Sequence, residues 1–131
     1  METNIGYIFS RNIDGGIVSH RVQNIIIKDY GEKNNYQISL SATELNLENA
    51  YNVLFDNLNS KRNVFFYSLG MFPKENKLRQ DVYQLIRKFD LTIHFCAECL
   101  ILNKENIEDF DKTLKIKFMT EESIAYQLNS I

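Results

Sequence analysis

The stretch Val64-Phe65-Phe66-Tyr67-Ser68-Leu69 decides the fold. It is short and apolar almost throughout, which reads as a strand buried on both faces and central in a parallel sheet. Downstream, Pro73 is the only proline. It suits the first turn of a helix, where its missing N–H would be unpaired anyway. That helix is expected to reach about residue 89, with Leu78, Val82, Leu85, Ile86 and Phe89 as its apolar stripe. Residues 91–96 read as a fourth strand and 99–102 as a short fifth. Upstream, residues 5–10 read as the first strand and 11–19 as a loop holding Gly15 and Gly16. A helix over 20–32 follows, with Ser19 as N-cap and Val22, Ile25, Ile26 and Tyr30 at helical spacing. Residues 36–41 read as the second strand. Residues 48–59 read as a helix with Ala50, Val53, Leu54 and Leu58 on one face. A further helix is expected over 105–114, and the tail from Lys115 reads as a strand at 116–119 and then a short helix over 123–128.

Strand and helix alternate throughout, which implies an α/β three-layer sandwich. Its mainly parallel sheet would have four or five strands with helices on both faces. Right-handed crossovers then leave only a few doubly wound strand orders. With 131 residues, 44% of them apolar, the chain suits a single domain with a real core. Residues 1–114 are its expected core. Residues 115–131 are a tail whose Phe118, Met119, Ile124, Tyr126 and Leu128 are candidates for contact with a second copy or a partner.

Fifteen Lys and Arg face seventeen Asp and Glu, a net charge of −2. That argues against nucleic-acid binding by charge alone, so nucleic acid is not the expected partner. No apolar run approaches about 18 residues, so no membrane span is expected. No basic cluster with an apolar run opens the chain, and a cytoplasmic location is expected. Cys96 and Cys99 form a C-x-x-C. A redox dithiol wants its first Cys at a helix N-terminus, but Cys96 ends a strand-like run. Zinc wants about four ligands, and no second pair exists. Two reduced, partly buried thiols are the simpler reading.

In a parallel sheet, ligands bind beyond the C-terminal ends of the strands. That edge should collect Ser10 and Arg11 from the first strand, Ser41, Thr43 and Glu44 from the second, Tyr67 and Ser68 from the third, and Glu98 after the fourth. Arg11 offers a fixed donor fork for phosphate or carboxylate. Gly15 and Gly16 would let the backbone turn and present N–H groups, with a helix starting beside them. Gln23 and Asn24 lie one turn into that helix. His20 or Glu44 could transfer a proton, and Ser10-His20-Glu44 is a candidate relay. His94, inside an apolar strand, reads as a satisfied core or interface histidine. No metal or cofactor is expected.

Two resemblances attach to particular residues. Gly6-Tyr7-Ile8-Phe9-Ser10, the 64–69 strand and the 91–98 segment resemble the serine recombinase (resolvase) catalytic domain over about residues 5–102. This implies a resolvase-like fold with Ser10 in the nucleophile's place. Recombinases carry an arginine two residues before that serine, where Ile8 stands, and an Asp-Arg-Leu-x-x-Arg-like segment after the third strand. Ser68 to Phe72 hold no arginine, and those arginines stabilise the phosphoryl transition state, so strand exchange is put in doubt. Gly6-Tyr7-Ile8 through Ser10-Arg11, Val22-Gln23-Asn24 with Asp29-Tyr30, Leu40 through Glu44, Tyr67-Ser68-Leu69 and His94 through Glu98 resemble the sporadic carbohydrate cluster protein family over about residues 5–115. That implies a small protein of bacterial surface-carbohydrate (capsule or O-antigen) biosynthesis that binds or modifies a sugar, sugar phosphate or sugar nucleotide at this edge. The alternative is a non-catalytic assembly module of the same pathway. A recombinase-like nucleic-acid enzyme is the remoter one.

Overall fold

A computed structural model describes residues 3–45, 51–58 and 62–129. Its strands are β1 (Thr3–Phe9), β2 (Ser39–Glu44), β3 (Arg62–Phe66), β4 (Thr92–Phe95) and β5 (Leu100–Leu102). Its helices are α1 (His20–Lys33), α2 (Asn52–Asn57), α3 (Asn76–Phe89) and α4 (Ile107–Asn129), with a 3-10 turn at Leu69–Met71. The strand order is β2-β1-β3-β4-β5. All pairs are parallel except β4 with β5, which run antiparallel. The chain goes from β1 outward to β2, then crosses back to β3 on β1's other side. The strand order therefore reverses between β1 and β3, and a crevice opens beyond their C-terminal ends.

Successive strand residues point to opposite faces, and both faces are apolar. Tyr7, Phe9, Val64, Phe66, Ile93 and Phe95 pack with Leu54, Val82, Tyr83, Ile86, Ile107 and Leu114 from α2, α3 and α4. Ile8, Phe65 and Cys96 pack with Ile27 and Tyr30 of α1 on the other side. Three layers result, and β3 lies in the middle, as its composition implies.

Several elements depart from the sequence reading. α1 begins at His20 with Ser19 Oγ accepting from Val22 N–H at 3.1 Å, but it buries Gln23, Ile27, Tyr30 and Gly31. Val22 and Ile25 are left exposed. The buried amide of Gln23, described below, sets that rotation. Pro73 lies in the loop before α3, whose N-cap is Glu75. β2 runs three residues further along the chain than expected. Of the helix expected over 48–59, residues 52–57 are helical, and 48–50 (with Ala50) and 59 lie outside the described residues. The tail is one continuous helix with the 107–114 segment. Tertiary contact overrides the local strand tendency there. Phe118 packs on the core, and the i,i+4 ion pairs Lys115–Asp111 and Lys117–Glu121 brace consecutive turns. Ile116, Met119, Ile124 and Leu128 of this helix are exposed. Among the described residues no helix is long and apolar enough to cross a membrane.

Candidate functional site

A cleft of about 890 Å³ opens at the C-terminal edge of β1 and β3. Phe9, Arg11, Asn12, Asp14 and Gly15 line it from the β1 side, and Gly70, Phe72 and Lys74 line it from the β3 side. Tyr51 and Glu121 complete the wall. Arg11 is held firmly. Its guanidinium carbon lies 4.1 Å from the Phe9 ring centre and 4.7 Å from that of Tyr51, so cation–π attraction fixes it on two sides. Burial pushes the Tyr51 hydroxyl up, while the charge and hydrogen bond of Arg11 pull it back. Lys74 is exposed on the same cleft. Two acids oppose these cations. Glu121 is paired with Lys117, and Asp14 lies against Gly70, where a Cβ would come within 2.3 Å of its Oδ2.

The loop that presents Arg11 turns at Asp14-Gly15. Both have positive φ, 51° and 82°, which defines a type I′ turn. The turn thus comes one residue before the Gly15-Gly16 pair. Gly16 N–H donates to Ile13 O at 3.1 Å, so that amide closes the turn and is not aimed at an anion. Gly15 lines the cleft.

The other expected site residues divide by task. Ser10 follows β1, and its Oγ donates to Glu44 O at 2.8 Å. Gln23 is fully buried. It accepts from Phe9 N–H at 2.9 Å and donates to Phe9 O at 2.8 Å and Val18 O at 2.9 Å. It therefore clamps α1 to the end of β1, and its complete burial keeps it away from a ligand. The Glu44 carboxylate is buried and takes hydrogen bonds from Tyr7, Val53 and Leu54. Burial first, and then this bond, push the Tyr7 hydroxyl far up. Ser68 Oγ donates to Glu98 Oε2 at 2.8 Å, and Leu69 N–H donates to Glu98 Oε1 at 2.9 Å. These two expected neighbours do meet, and together they fix the 3-10 turn. Tyr67 accepts from Ala97 N–H through its backbone oxygen at 2.9 Å.

His20, Asn24, Ser41 and Thr43 line a separate groove of about 630 Å³ between α1 and the edge strand β2. Ser41 Oγ donates to Asn24 Oδ1 there at 2.7 Å. The relay Ser10-His20-Glu44 is therefore not assembled: Ser10 bonds the Glu44 main chain, the carboxylate serves other donors, and His20 sits in the second groove. Sequence reasoning missed Tyr51, Gly70, Phe72, Lys74 and Glu121 as cleft residues. They come from loops and a tail with no motif, and only the strand order could have pointed to the 70–74 segment.

His94 is a core histidine, as expected. Its Nδ1 is 2.7 Å from Tyr30 Oη and its Nε2 is 3.3 Å from Asn63 Oδ1. Its ring stacks on Phe65 at 4.4 Å, and burial lowers its pKa to about 4. Cys96 is buried and Cys99 exposed, both as free thiols. Burial pushes the Cys96 thiol up to about 12, the opposite of a reactive thiolate. Among the described residues no cluster of three metal-ligating side chains occurs.

The architecture matches two solved structures. One is the N-terminal catalytic domain of TP901-1 integrase, at 16% identity and a TM-score of 0.57, covering 92% of this chain and 98% of that one. The other is a resolvase family site-specific recombinase from Streptococcus pneumoniae, at 13% identity and a TM-score of 0.59, covering 95% of each chain. The fold is resolvase-like. No family model and no curated protein matches the chain.

These findings correct three expectations. The carbohydrate-cluster resemblance finds no matching family model. The surface-carbohydrate role, with its sugar or sugar-phosphate ligand, falls with it, because the matched structures are an integrase catalytic domain and a site-specific recombinase, which back the recombinase-like alternative better than that reading. Setting nucleic acid aside on net charge is corrected too, since the resolvase-like fold is that of an integrase and a site-specific recombinase.

Proposed function

We propose that this chain is a nucleic-acid-binding domain on a resolvase-like scaffold, with one backbone phosphate seated at Arg11 and a second at Lys74 of the same cleft. The observation that carries the reading is the Arg11 guanidinium, fixed over Phe9 and Tyr51 at the reversal point of the strand order. A planar fork held in place suits a phosphate's paired oxygens and loses little freedom on binding. Asp14 and Glu121 share the cleft, so the contact is local and few counterions leave. The reading stops at binding, because neither Ile8 nor the 68–72 segment supplies an arginine for a phosphoryl transition state.

Fluorescence anisotropy with a labelled duplex at low ionic strength tests this. Two phosphate contacts predict that log K falls with log salt at a slope of about −2. Arg11→Ala should bring the slope to about −1. No saturable binding by the wild-type protein at low salt would refute the reading.

A further inference from the structure

We propose that Glu44 is the positioning residue for the Arg11 cleft, an inference that rests on the reading of that cleft given above. Glu44 is 2% exposed and cannot meet a ligand, so the proton-transfer role expected of it is replaced by a mechanical one. Three donors converge on its carboxylate: Tyr7 O–H on Oε2 at 2.8 Å, Leu54 N–H on Oε2 at 3.1 Å, and Val53 N–H on Oε1 at 3.2 Å. An ionised carboxylate only accepts, so it satisfies all three, whereas a carboxamide would set an N–H₂ group against one of these sites.

Val53 and Leu54 lie in the first turn of α2, where backbone N–H groups lack helical partners. The N-cap residue, Tyr51, contributes no side-chain cap. Glu44 therefore caps α2 from a neighbouring strand and fixes the start of that helix. Tyr51, immediately before the helix, is thereby held with its ring against both Arg11 and Phe9. The same residue acts at its other end. Its backbone oxygen accepts from Ser10 N–H at 3.1 Å and Ser10 Oγ at 2.8 Å. One buried side chain thus sets the shelf beneath Arg11, and its own carbonyl sets the residue just before Arg11.

Two readouts test this. The ring-current shift of the Arg11 side-chain resonances reports its place over Phe9 and Tyr51 with no ligand present. The salt slope of duplex binding reports the consequence. In Glu44→Gln, the Tyr51 share of the shift should vanish while the Phe9 share stays, and the slope should fall towards that of Arg11→Ala. The double variant should bind no worse than Arg11→Ala alone. A purely structural role would lower Tm and leave shift and slope at wild-type values, and that result would overturn the inference. Should Glu44→Gln not fold, Tyr7→Phe removes a single donor from the carboxylate. A partial loss of the Arg11 shift would then support the inference, and an unchanged shift would overturn it. If the wild-type protein binds no duplex, the binding reading fails, yet the Arg11 shift still decides the role of Glu44.

Discussion

Polar residues inside this molecule hold the backbone in place, and Gln23 shows how. Phe9 ends β1, and its N–H and C=O would be left without partners there. The Gln23 amide supplies both bonds. Gln23→Ala should therefore leave two buried backbone groups unsatisfied and cost about 3 kcal/mol, read from urea unfolding. A loss within experimental error would show that Gln23 is not a clamp. His94 gives a pH dependence. Burial holds its pKa near 4 in the folded protein, against about 6.5 in the unfolded chain. Between those values the unfolded chain binds a proton that the folded one refuses, so stability rises with pH. The contribution, at most about 3 kcal/mol, is complete above pH 6.5 and lost as pH falls towards 4. Tm should drop across that window, and less steeply in His94→Gln. Equal steepness in the two proteins would contradict the assignment. The sequence made Gln23, Glu44, Ser68 and Glu98 visible as residues near one edge. It did not show their tasks, because a Gln or Glu that binds backbone looks the same in sequence as one that binds a ligand.

At the scale of elements, existence was legible and orientation was not. Alternation and apolar runs marked the five strands and four helices of the described residues, and wrongly added a strand at 116–119 inside α4. Which face α1 buries depended on Gln23, which a hydrophobic pattern treats as polar surface. The length of α4 depended on contacts with α3. Arg79, 3% exposed, donates to Asp111 Oδ1 at 3.1 Å, Lys74 O at 2.6 Å and Asn76 Oδ1 at 3.1 Å. Tyr83 O–H donates to the same Asp111 oxygen at 2.7 Å. Burial pushes Asp111 up, but the bonds from Tyr83, Lys115 and Arg79 outweigh it and hold the carboxyl below its ordinary value. Arg79→Ala leaves that carboxylate short of its buried partner and should cost about 3 kcal/mol. It should also loosen α4, seen as faster amide exchange in residues 115–129. Unchanged exchange there would show that α4 is docked by its apolar contacts alone.

For the whole molecule, the sheet was the most readable feature. The apolar 64–69 run implied a central strand, and the strand–helix alternation of a parallel sheet implied a site beyond the strand ends. The crevice's lining was not readable, because Tyr51, Lys74 and Glu121 converge only after α2, α3 and α4 have packed on one face. Net charge misled for a related reason. A total of −2 averages over the surface, while a phosphate senses the few groups within a Debye length of about 10 Å. The central claim is that the Arg11–Lys74 cleft is the contact surface. Amide chemical-shift mapping during titration with a short duplex at low salt tests it most directly. The account predicts that perturbed amides cluster at Arg11, Asn12, Gly15, Gly70 and Lys74, and that the cluster disappears in Arg11→Ala. Shifts concentrated instead along the α1–β2 groove, or unaltered by Arg11→Ala, would contradict it.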